Sequence, residues 1–274
     1  MKKTKWLAAC MAACALALVA GCSNGGLDLP GVVEKDGWLM YGSTVRQYRG
    51  SDEKVTTPAG ATIIGSYAFE GTDVKEVTIG KGVTVIESSA FYQCTSLESV
   101  TIPGSVKSIG DEAFYWCTSL ESVTIGEGVE NIGSYAFYWC TSLESVTIGD
   151  GVKSIGDYAF DDCNSLVNVT IPGSVESIGD YAFRGCTSLA SVEIPDSVTV
   201  IESRAFYGCE SLESVTIGDG VESIGDYAFY GCSNLKEVNY GGTAEQWEKI
   251  DIGSGAFPDG VKITDKDGKE ISNS

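Results

Sequence analysis

From residue 97 the apolar positions read Leu97-x-x-Val100-x-Ile102, then Val106 and Ile109, then Ala113-Phe114 and Cys117. Three local patterns lie within that stretch. Ser99–Ile102 alternates with period 2, which predicts a strand with Val100 and Ile102 inward and Ser99 and Thr101 outward. Pro103-Gly104 marks a turn, and Val106 and Ile109, three apart, point inward again. Gly110 frees the backbone and Asp111 is placed to cap a short helix. In that helix Ala113, Phe114 and Cys117 stand at i, i+1 and i+4, on one face. Asp157, Asp180, Asp226, Ser66 and Ser134 hold the same capping position elsewhere.

The stretch is written seven times with a period of 23 residues, keeping Phe at 91, 114, 137, 160, 183, 206 and 229 and Cys three residues after each. A fixed period of this length predicts a solenoid, whose units bury their apolar side only against their neighbours. The consensus L-x-x-V-x-I-P/G-x-x-V-x-x-I-G-x-x-A-F-x-x-C closely resembles the BspA-type leucine-rich repeat of bacterial surface proteins, over about residues 55–240. The resemblance implies a leucine-rich-repeat solenoid of α/β class, with a parallel sheet on one face and short helical turns on the other. It also implies a surface protein that binds extracellular proteins and is not a catalyst.

Both ends of the array read as caps. Unit 55–76 is one residue short, lacks Cys and has Thr57 where an inward Ile is expected. Before it, residues 38–41 (W-L-M-Y) and 45–48 (V-R-Q-Y) read as strands that cover the open end, as terminal repeats must. After the array, Thr243-A-E-Gln246 is a capping box for a short helix carrying Trp247. Val261–Thr264 and Lys269–Ile271 read as a closing hairpin around Asp267-Gly268. The expected organisation is a signal segment 1–21, a tether 22–30, a β cap 31–54, repeats 55–237 and a C-terminal cap 238–274.

The chain of 274 residues carries 18 basic and 38 acidic residues and no histidine. A net charge of −20 disfavours nucleic acid, which is bound by clustered Lys and Arg, and favours basic partners or divalent cations. Lack of histidine removes Ser-His-Asp and Cys-His catalysis and His-containing metal sites. With no acid or nucleophile set apart from the repeating background, an enzyme is disfavoured, and no cofactor is expected.

Lys2, Lys3 and Lys5 precede an apolar run from Trp6 to Ala20, the layout of a signal peptide. The run ends in Leu18-Val19-Ala20-Gly21-Cys22, which resembles a bacterial lipobox. That resemblance implies removal of residues 1–21 and lipidation of Cys22. Acyl chains at about 0.8 kcal/mol per buried CH₂ anchor a protein without a spanning helix. The mature chain keeps 15 basic and 38 acidic residues, a net charge of −23.

Two outward surfaces are candidate contact sites. On the strand face, Ser122, Thr124, Ser145, Thr147, Asn168, Thr170 and Glu193 form a hydroxyl-rich array on the side where leucine-rich repeats bind partners. Thr is also simply a good strand residue. On the helix face, Tyr92, Tyr115, Trp116, Tyr135, Tyr138 and Trp139 form an aromatic patch suited to protein or sugar contact. Stacking between repeats is the competing explanation. The segment 114–126 recurs unchanged at 137–149, so Trp139 repeats the signal of Trp116.

The cysteine ladder reads as buried free thiols, since it lacks C-x-x-C and lies beside Phe and Ala. Asp161-Asp162 beside Asp157 is the densest acid cluster. It can hold Ca²⁺ only weakly, and a solvated face is the stronger reading. Asp265-Lys-Asp267-Gly268 fails as a calcium loop, because its end positions, Ile263 and Ser274, are not acids. No metal site is expected.

The function expected is a lipid-anchored envelope protein, surface-exposed, whose solenoid binds an extracellular protein or mediates adhesion. The alternatives are a structural spacer without a specific ligand, favoured by the uniformity of the repeats, and carbohydrate binding through the aromatics.

Overall fold

Each 23-residue unit makes one turn of a three-sided coil, in a computed structural model that describes residues 31–271. The signal segment, Cys22 and the tether lie outside the described residues. The first side is the predicted strand. Ser99–Ile102 pairs in parallel with Ser122–Ile125, which pairs with Ser145–Thr147, so that Val100, Val123 and Val146 lie in register. Those valines are buried while Thr101, Thr124 and Thr147 are exposed, as the period of 2 requires.

The second side corrects the sequence reading. Val106 and Ile109 face inward, but Ser108–Ile109, Asn131–Ile132 and their equivalents form a second parallel sheet of two-residue strands. With three N-terminal strands it reaches 12 strands among the described residues. Two residues per turn are too few to show strand alternation.

The third side also departs from expectation: Gly110–Cys117 is not a helix. The N–H groups of Ala113, Tyr115 and Cys117 close i→i+3 turns on Gly110, Glu112 and Phe114. Those of Glu112, Phe114 and Trp116 instead reach the next repeat, at the carbonyls of Ser134, Ala136 and Tyr138, 2.7–2.9 Å away. A helix keeps its hydrogen bonds within one segment, whereas here every second one crosses between turns. Glu112 and Trp116, at φ 58° and 59°, supply the left-handed corners. The only helix among the described residues is Ala244–Trp247. The solenoid is therefore almost entirely β and turn.

All nine phenylalanines of the chain form one column through the core, from Phe69 to Phe257. Successive ring centroids are 4.5–5.2 Å apart and nearly parallel. The caps extend the column: Tyr48 and Trp38 lie 5.8 and 5.7 Å from Phe69, and Trp247 lies 6.0 Å from Phe257. The seven ladder cysteines are free and buried. Each thiol donates to a phenylalanine carbonyl of the preceding turn, as Cys117 does to Phe91 at 3.2 Å, so the ladder joins turns as well as filling space.

The N-terminal cap is a three-stranded meander, Val32–Lys35, Trp38–Tyr41 and Thr44–Tyr48, continuous with the short-strand sheet. Thr57 is buried at the inward position and its hydroxyl accepts from Gly80 N–H at 2.8 Å. At the other end the capping box closes in both directions between Thr243 and Gln246. Lys262–Thr264 and Glu270–Ile271 form the expected hairpin, and Asp265 spends a carboxylate oxygen on the N–H groups of Asp267 and Lys269. Strand Lys54–Thr56 is the edge of its sheet, paired with Glu76–Thr78, and Glu237–Tyr240 pairs on one side with Ser214–Ile217 and on the other with Lys262–Thr264.

Candidate functional site

The strand face has one break in its pairing. Ser122, Ser145 and Asn168 lie in register, as do Thr124, Thr147 and Thr170, all exposed and in one six-stranded sheet. Glu193 belongs to a separate five-stranded sheet that begins at Ser191. At the seam, Ala190 N–H reaches Val167 O at 3.5 Å, where the equivalent bonds on either side are 2.9 Å or 3.2 Å. Val167 stands there 44% exposed, at a position that is glutamate in most turns.

The turn face does bring the six predicted aromatics together. Tyr92, Tyr115 and Tyr138 stack at 5.1 and 4.9 Å, and Trp116 stacks on Trp139 at 5.4 Å. Tyr135 lies 5.7 Å from Tyr138 and continues into Tyr158 at 4.6 Å. The expected exposure is reduced by this stacking. Trp139, at 38%, is the most exposed of the six, and the others are half-buried. Burial, aided by the neighbouring phenols, pushes the Tyr115 hydroxyl up to about 12. Trp139 Nε1–H donates to Asp162 at 2.7 Å, while Trp116 Nε1–H is buried without a partner among the described residues.

Residue type at one backbone corner distinguishes this stretch from the rest of the array. The residue before each ladder cysteine has positive φ: it is glycine at 185, 208 and 231, but Gln93, Trp116, Trp139 and Asp162 in four consecutive turns. A side chain in the left-handed region costs about 1–2 kcal/mol where glycine costs little. Four turns therefore keep projecting side chains at positions where the fold favours glycine.

The stack ends at a charge pair. Asp161 is fully buried, and Arg184 Nε donates to its Oδ1 at 2.7 Å. Arg184 Nη2 lies 2.7 Å from Oδ2, off the hydrogen-bond line, and 3.6 Å from Asp162. Burial pushes the Asp161 carboxyl up to about 7, against the downward pull of the guanidinium. The carboxylates considered for Ca²⁺ are thus turned to other partners: Asp161 to Arg184, Asp162 to Trp139, and Asp157 to the Asp180 N–H at 3.0 Å. Arg184 and Arg204 are not among the sequence-predicted candidates and stand out in the sequence only as breaks in the repeat. Their departure from the consensus was the one signal that could have marked them as a site.

The model of the BspA type leucine-rich repeat region matches residues 47–167 and 153–266 with six copies. Among solved structures, a leucine-rich repeat protein from Bacteroides ovatus is 28% identical, with a TM-score of 0.54, over 87% of this chain and 70% of that one. The T. pallidum leucine-rich repeat protein is 32% identical at a TM-score of 0.56, over 70% and 82%. One from Eubacterium ventriosum is 29% identical at 0.62, over 65% and 50%. No curated protein matches the chain.

Proposed function

The chain belongs to the BspA-type leucine-rich repeat family, and from that premise we propose a surface-anchored binding protein. Lipid on Cys22 holds it to the bacterial envelope, and the solenoid contacts an extracellular protein through the aromatic turn face. The observation that carries this reading is the aromatic cluster on the turn face, Trp116 and Trp139 above all, whose rings stack at 5.4 Å. Tryptophan and tyrosine dominate interface energetics. Charge supports a basic partner, since the surface is strongly acidic. The lipobox Leu18–Cys22 supports the anchor.

Two experiments test the two halves. Cys22→Ser is expected to move the protein from the detergent-soluble membrane fraction to the aqueous phase, and retention in the membrane overturns the anchor. For binding, the purified protein is titrated against immobilised extracellular-matrix proteins. The double variant Trp116→Ala/Trp139→Ala is expected to lose at least about 2 kcal/mol of affinity, the scale of an interface hot spot. Thr124→Glu/Thr147→Glu on the strand face is expected to change little. If the strand variant loses binding and the tryptophan variant keeps it, the contact face is misassigned. If no ligand is retained by the native protein, the uniform Ser and Thr columns favour a structural spacer.

A further inference from the structure

C-terminal to the tryptophans the turn face changes from a ridge to a trough. Gly185, Gly208 and Gly231 replace the bulky residues of the earlier turns, and a Cβ built on Gly208 meets nothing within 4 Å. The result is a groove of about 490 Å³ lined by Tyr181, Arg184, Arg204, Tyr207, Tyr227 and Tyr230. It is an open surface groove and not an enclosed cavity. Every lining residue is tyrosine or arginine, although acidic residues outnumber basic ones about two to one in the chain.

The two arginines are not equivalent. Arg184 is committed to Asp161 and Asp162. Arg204 has no ion-pair partner among the described residues. Its guanidinium is held between two rings, 5.4 Å from Tyr181 and 5.1 Å from Tyr227, in a column where the neighbouring turns carry tyrosine. It sits at the left-handed corner, φ 57°, that Tyr181 and Tyr227 also occupy in the adjoining turns. A cation that is oriented, unneutralised and set among aromatic faces in an acidic protein is a site for an anion.

We propose that this groove binds an acidic saccharide, a pyranose that presents its carboxylate to Arg204 and its C–H face to Tyr207, whose other face is taken by Tyr230 at 5.4 Å. Phenol hydroxyls supply partners for the ring hydroxyls. An extended acidic peptide fits less well, because it needs free backbone groups to pair with. The N–H groups of Arg204 and Gly208 are already given to Asp226 and Tyr230 of the next turn, at 2.9 and 2.8 Å. The site adjoins the tryptophan surface through Asp162 and Arg184 but shares neither tryptophan, so either proposal can fail while the other stands.

The test is calorimetric titration of the full chain, in detergent, with oligogalacturonate, its methyl ester and a poly-glutamate peptide of equal charge. The native protein is expected to bind oligogalacturonate saturably. Arg204→Gln and Tyr207→Ala are each expected to weaken it at least ~10-fold, the scale of one charge-assisted contact or one aromatic anchor. The methyl ester is expected to bind at least ~10-fold more weakly than the acid for the same reason. Trp139→Ala is expected to bind as the native protein does. Melting curves establish that the variants fold. Should Arg204→Gln not fold, Tyr207→Ala and the native protein's loss of affinity in high salt carry the test. Absence of saturable binding overturns the proposal, as does native affinity in Arg204→Gln, equal binding of the methyl ester, or equal binding of poly-glutamate.

Discussion

Replacing Phe160 by alanine tests whether the phenylalanine column carries the stability of the coil. The ring is fully buried, and its centroid lies 5.2 Å from both Phe137 and Phe183, within 8° of parallel. Truncating a buried phenylalanine costs about 3–5 kcal/mol. Two stacked contacts, each contributing about 0.5–1.5 kcal/mol beyond area, place Phe160→Ala at the top of that range, about 5 kcal/mol. Position adds a second consequence. Close by, Asn168–Thr170 and Ser191–Ile194 fall in different sheets, so the turns there are joined by one ladder fewer. A solenoid's stability is a sum of unit and interface contributions. Weakening this junction is therefore expected to uncouple an N-terminal block, holding Trp38, Trp116 and Trp139, from a C-terminal block holding Trp247. Urea unfolding followed by tryptophan fluorescence and by far-ultraviolet circular dichroism is the assay. The two signals are expected to separate in Phe160→Ala, and Phe160→Leu is expected to retain most of the stability. A loss under about 2 kcal/mol, or a single coincident transition displaced as a whole, would refute the reasoning.

Three further outcomes follow from particular contacts. Because Asp161 holds its proton up to about pH 7 in the fold but to 3.8 ordinarily, the folded state binds more protons between those values. Stability is then lost as pH rises through that window, by at most about 4 kcal/mol. The stability difference between Asp161→Asn and the native protein is expected to grow from pH 4 to pH 8, and a flat difference sinks the assignment. Burial pushes the Cys140 and Cys186 thiols well above their ordinary range. The ladder is expected to resist a thiol reagent until the protein unfolds, and rapid labelling of the seven native thiols would contradict the buried ladder. Gly128→Ala sets a Cβ against the carbonyl of Gly104, whereas Gly173→Ala meets open space. By thermal denaturation the first is expected to cost about 1–3 kcal/mol and the second to stay within about 0.5 kcal/mol. Equal effects would show that the turns do not approach as closely as described.

Much of the architecture was legible before any coordinates. Period 23 implied the solenoid, and alternation at Ser99–Ile102 placed its strand. The capping box at Thr243, the hairpin at Asp267-Gly268 and the strands at 38–41 and 45–48 were each announced by local chemistry. The short-strand sheet was not, because Ser108–Ile109 contains no full alternation to read. The turn face was misread as helical for a related reason. Ala113, Phe114 and Cys117 have helical spacing, but what decides the backbone is that Glu112, Phe114 and Trp116 give their N–H groups to the turn above. No single repeat contains that information.

The candidate sites divide in the same way. Sequence alone determined which columns face out, because inward positions must be apolar and the register repeats. It also determined that the strand face is hydroxyl-rich and that aromatics gather near the fourth and fifth turns. Only the tertiary structure decided that the strand face is broken between Thr170 and Glu193, and that the tyrosines bury one another. It alone distinguished Arg184, hydrogen-bonded to a buried Asp161, from Arg204, held between two rings without a carboxylate. The physical reason is that a repeat dictates what each position must be within its own turn. What a side chain contributes to binding depends on its partner one turn away, and that pairing exists only once the turns are stacked.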